Sequence, residues 1–201
     1  LCLLQWVYGR GAAAGSGEGD YFEVIRGLLA EAGANATGSE NVASVSNKLV
    51  DRMESVVGET IAAHYKNLKT ACNQNAEKML DSAREYINRE PATRRIRLER
   101  ACRIACAGNV APLGTPSEGF SFDEVKEVIH GRLKPVISGD VYGAVKNAAR
   151  VLYVTDNAGE IGFDSLLISK LKELGCHVTL VVKEPMFFED ATLDDAAFFD
   201  L

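Results

Sequence analysis

Val151-Leu152-Tyr153-Val154-Thr155-Asp156-Asn157-Ala158-Gly159-Glu160-Ile161-Gly162-Phe163-Asp164 is an apolar run that empties into a turn of acids, an amide and two glycines. It reads as a strand leading into a polar loop. Beyond it, Ile161, Phe163, Leu166, Leu167, Ile168, Leu171 and Leu174 recur at three- and four-residue steps, which predicts a helix from about Gly159 or Glu160 to Gly175. His177-Val178-Thr179-Leu180-Val181-Val182 then reads as a second strand ending at Lys183-Glu184-Pro185. Strand, helix and strand at this spacing predict a parallel βαβ unit, so Lys183 emerges on the same edge as Asp156. Asp190, seven residues beyond Lys183, has enough chain to fold back over that edge.

Ligands collect at the carboxyl ends of strands in open α/β sheets. A carboxylate and an amide carbonyl on that rim, from Asp156 and Asn157, suit a hard or borderline divalent cation. Asp190 adds a third oxygen ligand. Gly159 lets backbone approach a ligand closely, and free N–H groups at the helix start make an anion site beside the cation, with phosphate the obvious anion.

The stretch from Leu152 to Asp164, with Val181-Val182-Lys183 and Asp190-Ala191-Thr192, resembles the damage-control phosphatase family. These are metal-dependent phosphatases with an ARMT-like domain, once filed as a domain of unknown function. Cys2-Leu3-Leu4-Gln5, the set Tyr65, Lys69 and Asn73, and Gly108-Asn109 also have counterparts in that family's helical N-terminal half. The resemblance implies Asp156, Asn157 and Asp190 as metal ligands and catalytic centre, the same set that the residues themselves suggest. It implies substrate contacts from Gly159, Glu160, Lys183, Lys69, Asn73 and Asn109, a divalent cation (Mg²⁺, Mn²⁺, Co²⁺ or Ni²⁺), and small sugar phosphates or their damaged derivatives as substrates. Three features depart from the pattern. Gly162 replaces a larger apolar residue, Glu189 replaces an Asn before Asp190, and Ala111-Pro112 follow Gly108-Asn109 where the family tends to place an Asp. Both ends of the chain read as cut, since it opens on Leu1 with half of a Cys-x-x-Cys motif and stops at Leu201 after two candidate strands.

The fold expected is a mostly helical N-terminal lobe, residues 1–149, followed by the start of a parallel α/β/α, Rossmann-like metal-binding domain, residues 150–201, with its C-terminal part missing. Amphipathic stripes predict helices over Tyr21–Gly33, Val42–Val57 and Leu68–Leu80. Further helices are expected over Arg94–Ala107, over Ser121–Gly131 with Ser121 as N-cap, and over Asp140–Ala149. Gly9 to Gly19, rich in glycine and alanine, reads as a loop.

A net charge of −6 and the lack of a sustained Lys/Arg cluster argue against nucleic-acid and anionic-membrane partners. The run Arg94 to Arg100 alternates with apolar and acidic residues, as the solvated face of a helix does. No stretch approaches the roughly 20 apolar residues that cross a bilayer. Five cysteines without framework spacing suit reduced thiols and a cytoplasmic setting. Cys102 and Cys106 share a helical face, where packing explains them better than a zinc or redox pair, and His64, His130 and His177 have no partner in sequence. Asn109 after Gly108 is either a cleft residue or a C-cap.

These features favour metal-assisted hydrolysis of a small phosphorylated metabolite. A covalent route through Asp156 meets the objection that Ala158 stands where haloacid dehalogenase-like phosphatases place their second acid. Glu160 and Asp164 are candidates for supporting or general-base roles. Two alternatives stay open: an S-adenosylmethionine-dependent carboxyl methyltransferase, against which the glycine spacing and Lys183 at the end of the second strand both count, and a non-catalytic metal-binding protein. The oligomeric state is not legible.

Overall fold

The computed structural model describes residues 2–13, 18–35, 37, 41–109, 120–184 and 187–201. In chain order these form α1 (Cys2–Ala13), α2 (Glu18–Asn35), α3 (Val42–Asn88), α4 (Arg94–Gly108), α5 (Asp123–Ile129), α6 (Val141–Val145), β1 (Arg150–Val154), α7 (Glu160–Glu173), β2 (His177–Val181) and α8 (Leu193–Phe198). The molecule is mixed α/β, mostly helical, with a small parallel sheet. Two compact units divide it, one built on the chain up to Asn67 and the other on the chain from Leu68 onward. The change from helical to strand-and-helix sequence at residue 150 therefore falls inside the second unit.

In the first unit Val7, Val24, Leu28, Leu49 and Met53 are buried along α1, α2 and the early part of α3. The loop expected over Gly9 to Gly19 is corrected here: the chain is helical through Ala13 and again from Glu18, while residues 14–17 lie outside the described residues. Helical glycine costs up to about 1 kcal/mol relative to Ala. At Gly11 close packing explains it, since a Cβ there would stand 2.7 Å from the Met53 sulfur.

The second and third expected helices are one element, α3, interrupted only by non-helical angles at Val57 (φ −132°, ψ 20°). Ile61 and Tyr65 carry the apolar stripe across the gap between the two sequence patterns, and both are buried.

The second unit is organised around α7, which packs against α4 and connects the two strands. β1 and β2 pair in parallel, from Arg150 opposite His177 to Val154 opposite Val181. Side chains alternate across a strand, so Val151, Tyr153 and Val178 face a core made with Leu98, Leu171, Val141, Val145 and Cys176. The other face is open: Leu152 and Val154 are 68% and 66% exposed. Ile161, Ala191 and Ala196 form a smaller core with Leu180, Val182 and Phe199.

Three other expectations are corrected. Helix α5 starts after Phe122, a left-handed residue (φ 48°) with no side-chain cap, and not after Ser121. Burial decides this: the Phe122 ring is fully enclosed and meets Phe120 and Phe163 edge-on. Helix α6 is shorter than expected, five residues capped by Asp140, whose carboxylate accepts the Gly143 N–H at 2.9 Å. Helix α8 is an addition to the elements expected from sequence. Ala111 and Pro112 lie outside the described residues, and no helix among those described is long and apolar enough to cross a membrane.

The α4–α7 contact is close at Gly108, where a Cβ would stand 2.7 Å from Phe163 Cδ2 and 3.3 Å from its Cβ. Phe163 is fully buried. Overpacking of this kind costs typically about 1–3 kcal/mol, against a helix-propensity gain of at most about 1 kcal/mol for Ala. Gly108→Ala is therefore expected to lower stability in urea unfolding; an unchanged or higher midpoint would contradict the packing described.

Candidate functional site

β1 is followed by Thr155, whose N–H and Oγ1 both donate to the Val181 carbonyl, at 3.1 and 2.9 Å. The chain then turns away from β2 and meets the loop that follows it. Ala158 N–H donates to the Glu189 carbonyl and Ala191 N–H to the Asp156 carbonyl, each at 2.8 Å, so that Asn157 and Asp190 pair in an antiparallel bridge. Residues enclosed between two such bonds are a non-hydrogen-bonded pair, with Cα atoms about 4.5 Å apart and side chains leaving on the same side. The two segments are thus fastened so that the Asn157 amide and the Asp190 carboxylate emerge together.

Asp156 joins them through a short network. Asn109, the C-cap of α4, donates from Nδ2 to Asp156 Oδ2 (3.3 Å) and to Glu160 Oε1 (3.0 Å). Asn109 thus ends a helix and also reaches the rim. Glu160 Oε2 in turn accepts from the Asn157 N–H (3.2 Å) and from Asn157 Nδ2 (3.0 Å). With Nδ2 engaged by Glu160, the carbonyl oxygen is the acceptor that Asn157 can offer to a cation. Lys183 ion-pairs with Asp190 Oδ2, and its ammonium lies 5.3 Å from the Phe187 ring centre.

Two buried carboxyl groups lie beneath this rim. Glu160 and Asp164 are 6% and 3% exposed. Burial holds the Glu160 carboxyl above its ordinary range, although hydrogen bonds from Asn157 and Asn109 pull it down. Burial, with the charges of Glu160 and Asp156, pushes Asp164 up to about 7 despite the hydrogen bond it accepts from Tyr153 Oη at 2.6 Å. The Tyr153 phenol is itself raised, first by burial and then by the Asp164 charge.

The N–H groups just ahead of α7 have protein acceptors. The N–H groups of Asn157, Ala158 and Gly159 go to Glu160, Glu189 and Asn73 respectively. Gly159 itself is required by geometry: its φ is +76°, and a Cβ would stand 2.7 Å from Phe122 Cζ and 2.9 Å from the Cys72 carbonyl oxygen. Lys69 and Asn73, one turn apart on α3, are both buried. Lys69 Nζ contacts Asp195 Oδ2 at 2.7 Å and Thr192 Oγ1 at 3.0 Å. Asn73 accepts the Gly159 N–H at 2.7 Å and donates to Asp195 Oδ1 at 2.9 Å. Asp195 is not among the site residues expected from sequence; the Thr192-x-x-Asp195 spacing of a capping box is the signal available for it.

Asp156, Asn157 and Asp190 fit a divalent cation by donor chemistry: two carboxylates and an amide oxygen at a strand rim, with surplus acid beneath. No group of three His, Cys, Asp or Glu side chains arranged to hold a metal occurs among the described residues, so the amide is needed to complete the set. Cys72, Cys102, Cys106 and Cys176 are free thiols, and burial raises the Cys72 thiol to about 12.

Residues 21–199 match the family model of the damage-control phosphatase ARMT1-like domain. The chain belongs to this family. It is 36% identical over 135 residues to an uncharacterized protein of Methanocaldococcus jannaschii, covering 66% of this chain and 44% of that protein. It is also 36% identical over 102 residues to a damage-control phosphatase of Pyrococcus horikoshii, covering 48% and 34%. A damage-control phosphatase of Archaeoglobus fulgidus is 23% identical over 197 residues, covering 97% and 66%. The chain thus spans between 34% and 66% of the lengths of these relatives. The crystal structure of a DUF89 family protein from Pyrococcus horikoshii shares the fold, with a TM-score of 0.75 at 21% identity over 99% of this chain and 67% of that one.

The folded Asp164 carboxyl sits at about 7 against an ordinary value of 3.8, so the native state holds its proton more tightly than the unfolded chain. The stability this group contributes is complete below its ordinary value and is lost as pH rises through the folded one. Urea midpoints of metal-free protein measured from pH 4 to 8 are expected to fall relative to those of Asp164→Asn, which keeps an acceptor for Tyr153; parallel profiles would refute the assignment.

Proposed function

We propose that this damage-control phosphatase family member is a metal-dependent phosphatase of small phosphorylated metabolites, sugar phosphates or their damaged derivatives among them, working in the cytoplasm. The observation that carries the reading is the Asn157–Asp190 bridge, which sets an amide and a carboxylate side by side at the rim that also bears Asp156.

Asp156, Asn157 and Asp190 would hold the ion, one of Mg²⁺, Mn²⁺, Co²⁺ or Ni²⁺. When bound, such an ion neutralises charge developing on phosphoryl oxygens and makes a bound water more acidic. The protein groups do the rest. Glu160 fixes the Asn157 amide, leaving its carbonyl oxygen for the ion, and Asn109 ties Asp156 to the same carboxylate. Lys183, half exposed and paired with Asp190, is the cation placed to turn toward a phosphate oxygen. The N–H groups of residues 157–159 have protein acceptors, so Lys183 would share the holding of phosphate oxygens with the N–H groups at the start of α7, after Gly159. Both Glu160 oxygens accept hydrogen bonds, which suits an orienting group better than a general base.

The test is orthophosphate release from a panel of sugar phosphates by metal-stripped protein resupplied with each cation, beside Asp156→Ala. Release that requires a cation and falls by about 100-fold or more in the variant is expected. Metal binding without release under any cation would overturn the phosphatase reading and turn attention to methyl transfer or metal binding alone.

A further inference from the structure

We propose that Asp195 is a positioning residue that holds the two ligand-bearing segments in register through Asn73. The proposal rests on the reading of Asp156, Asn157 and Asp190 as the metal site. Its starting point is an excess of hydrogen bonds. A capping box needs its acid only to accept the N-cap N–H. Asp195 is 3% exposed and does far more. Its Oδ2 accepts the Thr192 N–H and Thr192 Oγ1, each at 2.7 Å, and pairs with Lys69 Nζ, also at 2.7 Å. Its Oδ1 accepts Asn73 Nδ2 at 2.9 Å. Burial alone would raise this carboxyl, but Lys69, Thr192 and Asn73 together hold it below its ordinary value.

The chain of contacts runs between the two halves of the site. Thr192 lies two residues after Asp190, while Asn73 Oδ1 accepts the Gly159 N–H at 2.7 Å, two residues after Asn157. Asp195 thereby fixes the orientation of the Asn73 amide: with Nδ2 donating to the carboxylate, Oδ1 must face Gly159. Lys69 and Asn73 act on the site from behind, by holding Asp195 and Gly159. Neither needs to touch substrate to matter.

Polarity makes the idea testable. An amide at position 195 can accept on one side only, so Asp195→Asn sets donor against donor either at Asn73 or at Thr192 and Lys69. Asn73→Asp sets two carboxylates face to face. In the double variant the pattern is whole again: the amide now at position 195 accepts from Thr192 and donates to the carboxylate now at position 73, which accepts from Gly159. Two readouts are followed in all four proteins, amide hydrogen exchange at Gly159 by NMR and Mn²⁺ affinity by calorimetry.

Each single variant is expected to exchange Gly159 at least about 10-fold faster and to bind Mn²⁺ about 10- to 100-fold more weakly, with the double variant recovering most of both losses. Folded single variants whose Gly159 exchange and Mn²⁺ affinity stay within about 2-fold of the parent would overturn the proposal, even with a lowered melting temperature, because a purely structural role moves stability alone. If a single variant does not fold, the double variant decides: folded with Gly159 protected supports the linkage, unfolded or unprotected refutes it. A parent that binds Mn²⁺ and protects Gly159 but releases no phosphate would sink the phosphatase reading while leaving the positioning role standing.

Discussion

Two main-chain hydrogen bonds, from Ala158 to Glu189 and from Ala191 to Asp156, are the constraint on which the site depends. They join the turn after β1 to the loop after β2 and make Asn157 and Asp190 a close cross-strand pair. Side-chain chemistry alone cannot do this. A carboxylate and an amide on separate loops would sample many separations, whereas a non-hydrogen-bonded antiparallel pair fixes both distance and side. The parallel strands beneath supply the platform, and Gly159 supplies the one backbone angle that lets the chain pass from bridge to helix.

That arrangement costs electrostatic energy. Asp156, Glu160 and Asp164 lie close enough for their charges to interact, and burial holds Glu160 and Asp164 toward their protonated forms. The neighbouring Asp156 charge adds to the effect of burial on both groups. Amide donors from Asn109 and Asn157 and the Lys183 ammonium offset part of the strain. Such a set of groups suits a cation by its charge, and would take a phosphate monoester only with positive charge in place. Glu189 contributes its carbonyl, which accepts the Ala158 N–H.

The strand, turn, helix and strand from Val151 to Val181 were legible because each signal was local: β-branched runs, a glycine-rich turn and a three- and four-residue apolar period. The structure runs these elements as Arg150–Val154, Glu160–Glu173 and His177–Val181. Asp156 and Asn157 could be named from donor type at a strand end, and Asp190 from the reach of the chain back over that edge. Their mutual geometry could not, because the bridge joins residues far apart in sequence and is made by backbone atoms. The same limit applies to Lys69 and Asn73. Their four-residue spacing was visible, but their partners Asp195 and Gly159 lie more than eighty residues away. Local rules failed where burial outweighed them, as at Phe122, whose ring packing overrides the Ser121 cap, and in α1, where Gly11 serves close contact and not a loop. Gly162 gains a reason too, since a Cβ there would stand 2.7 Å from the Phe199 ring, and the larger residue expected from the resemblance would collide with it.

Family membership and the rim geometry support one another, yet they concern different things: the first says what chain this is, the second how its own atoms are placed. The central claim is that Asp156, Asn157 and Asp190 together form the cation site. Anomalous diffraction from crystals soaked in Mn²⁺ tests it most directly. The account predicts a single strong peak bonded to oxygens of all three residues, with the Lys183 ammonium moved off Asp190; a peak elsewhere, or none while the Lys183–Asp190 pair stays intact, would contradict it.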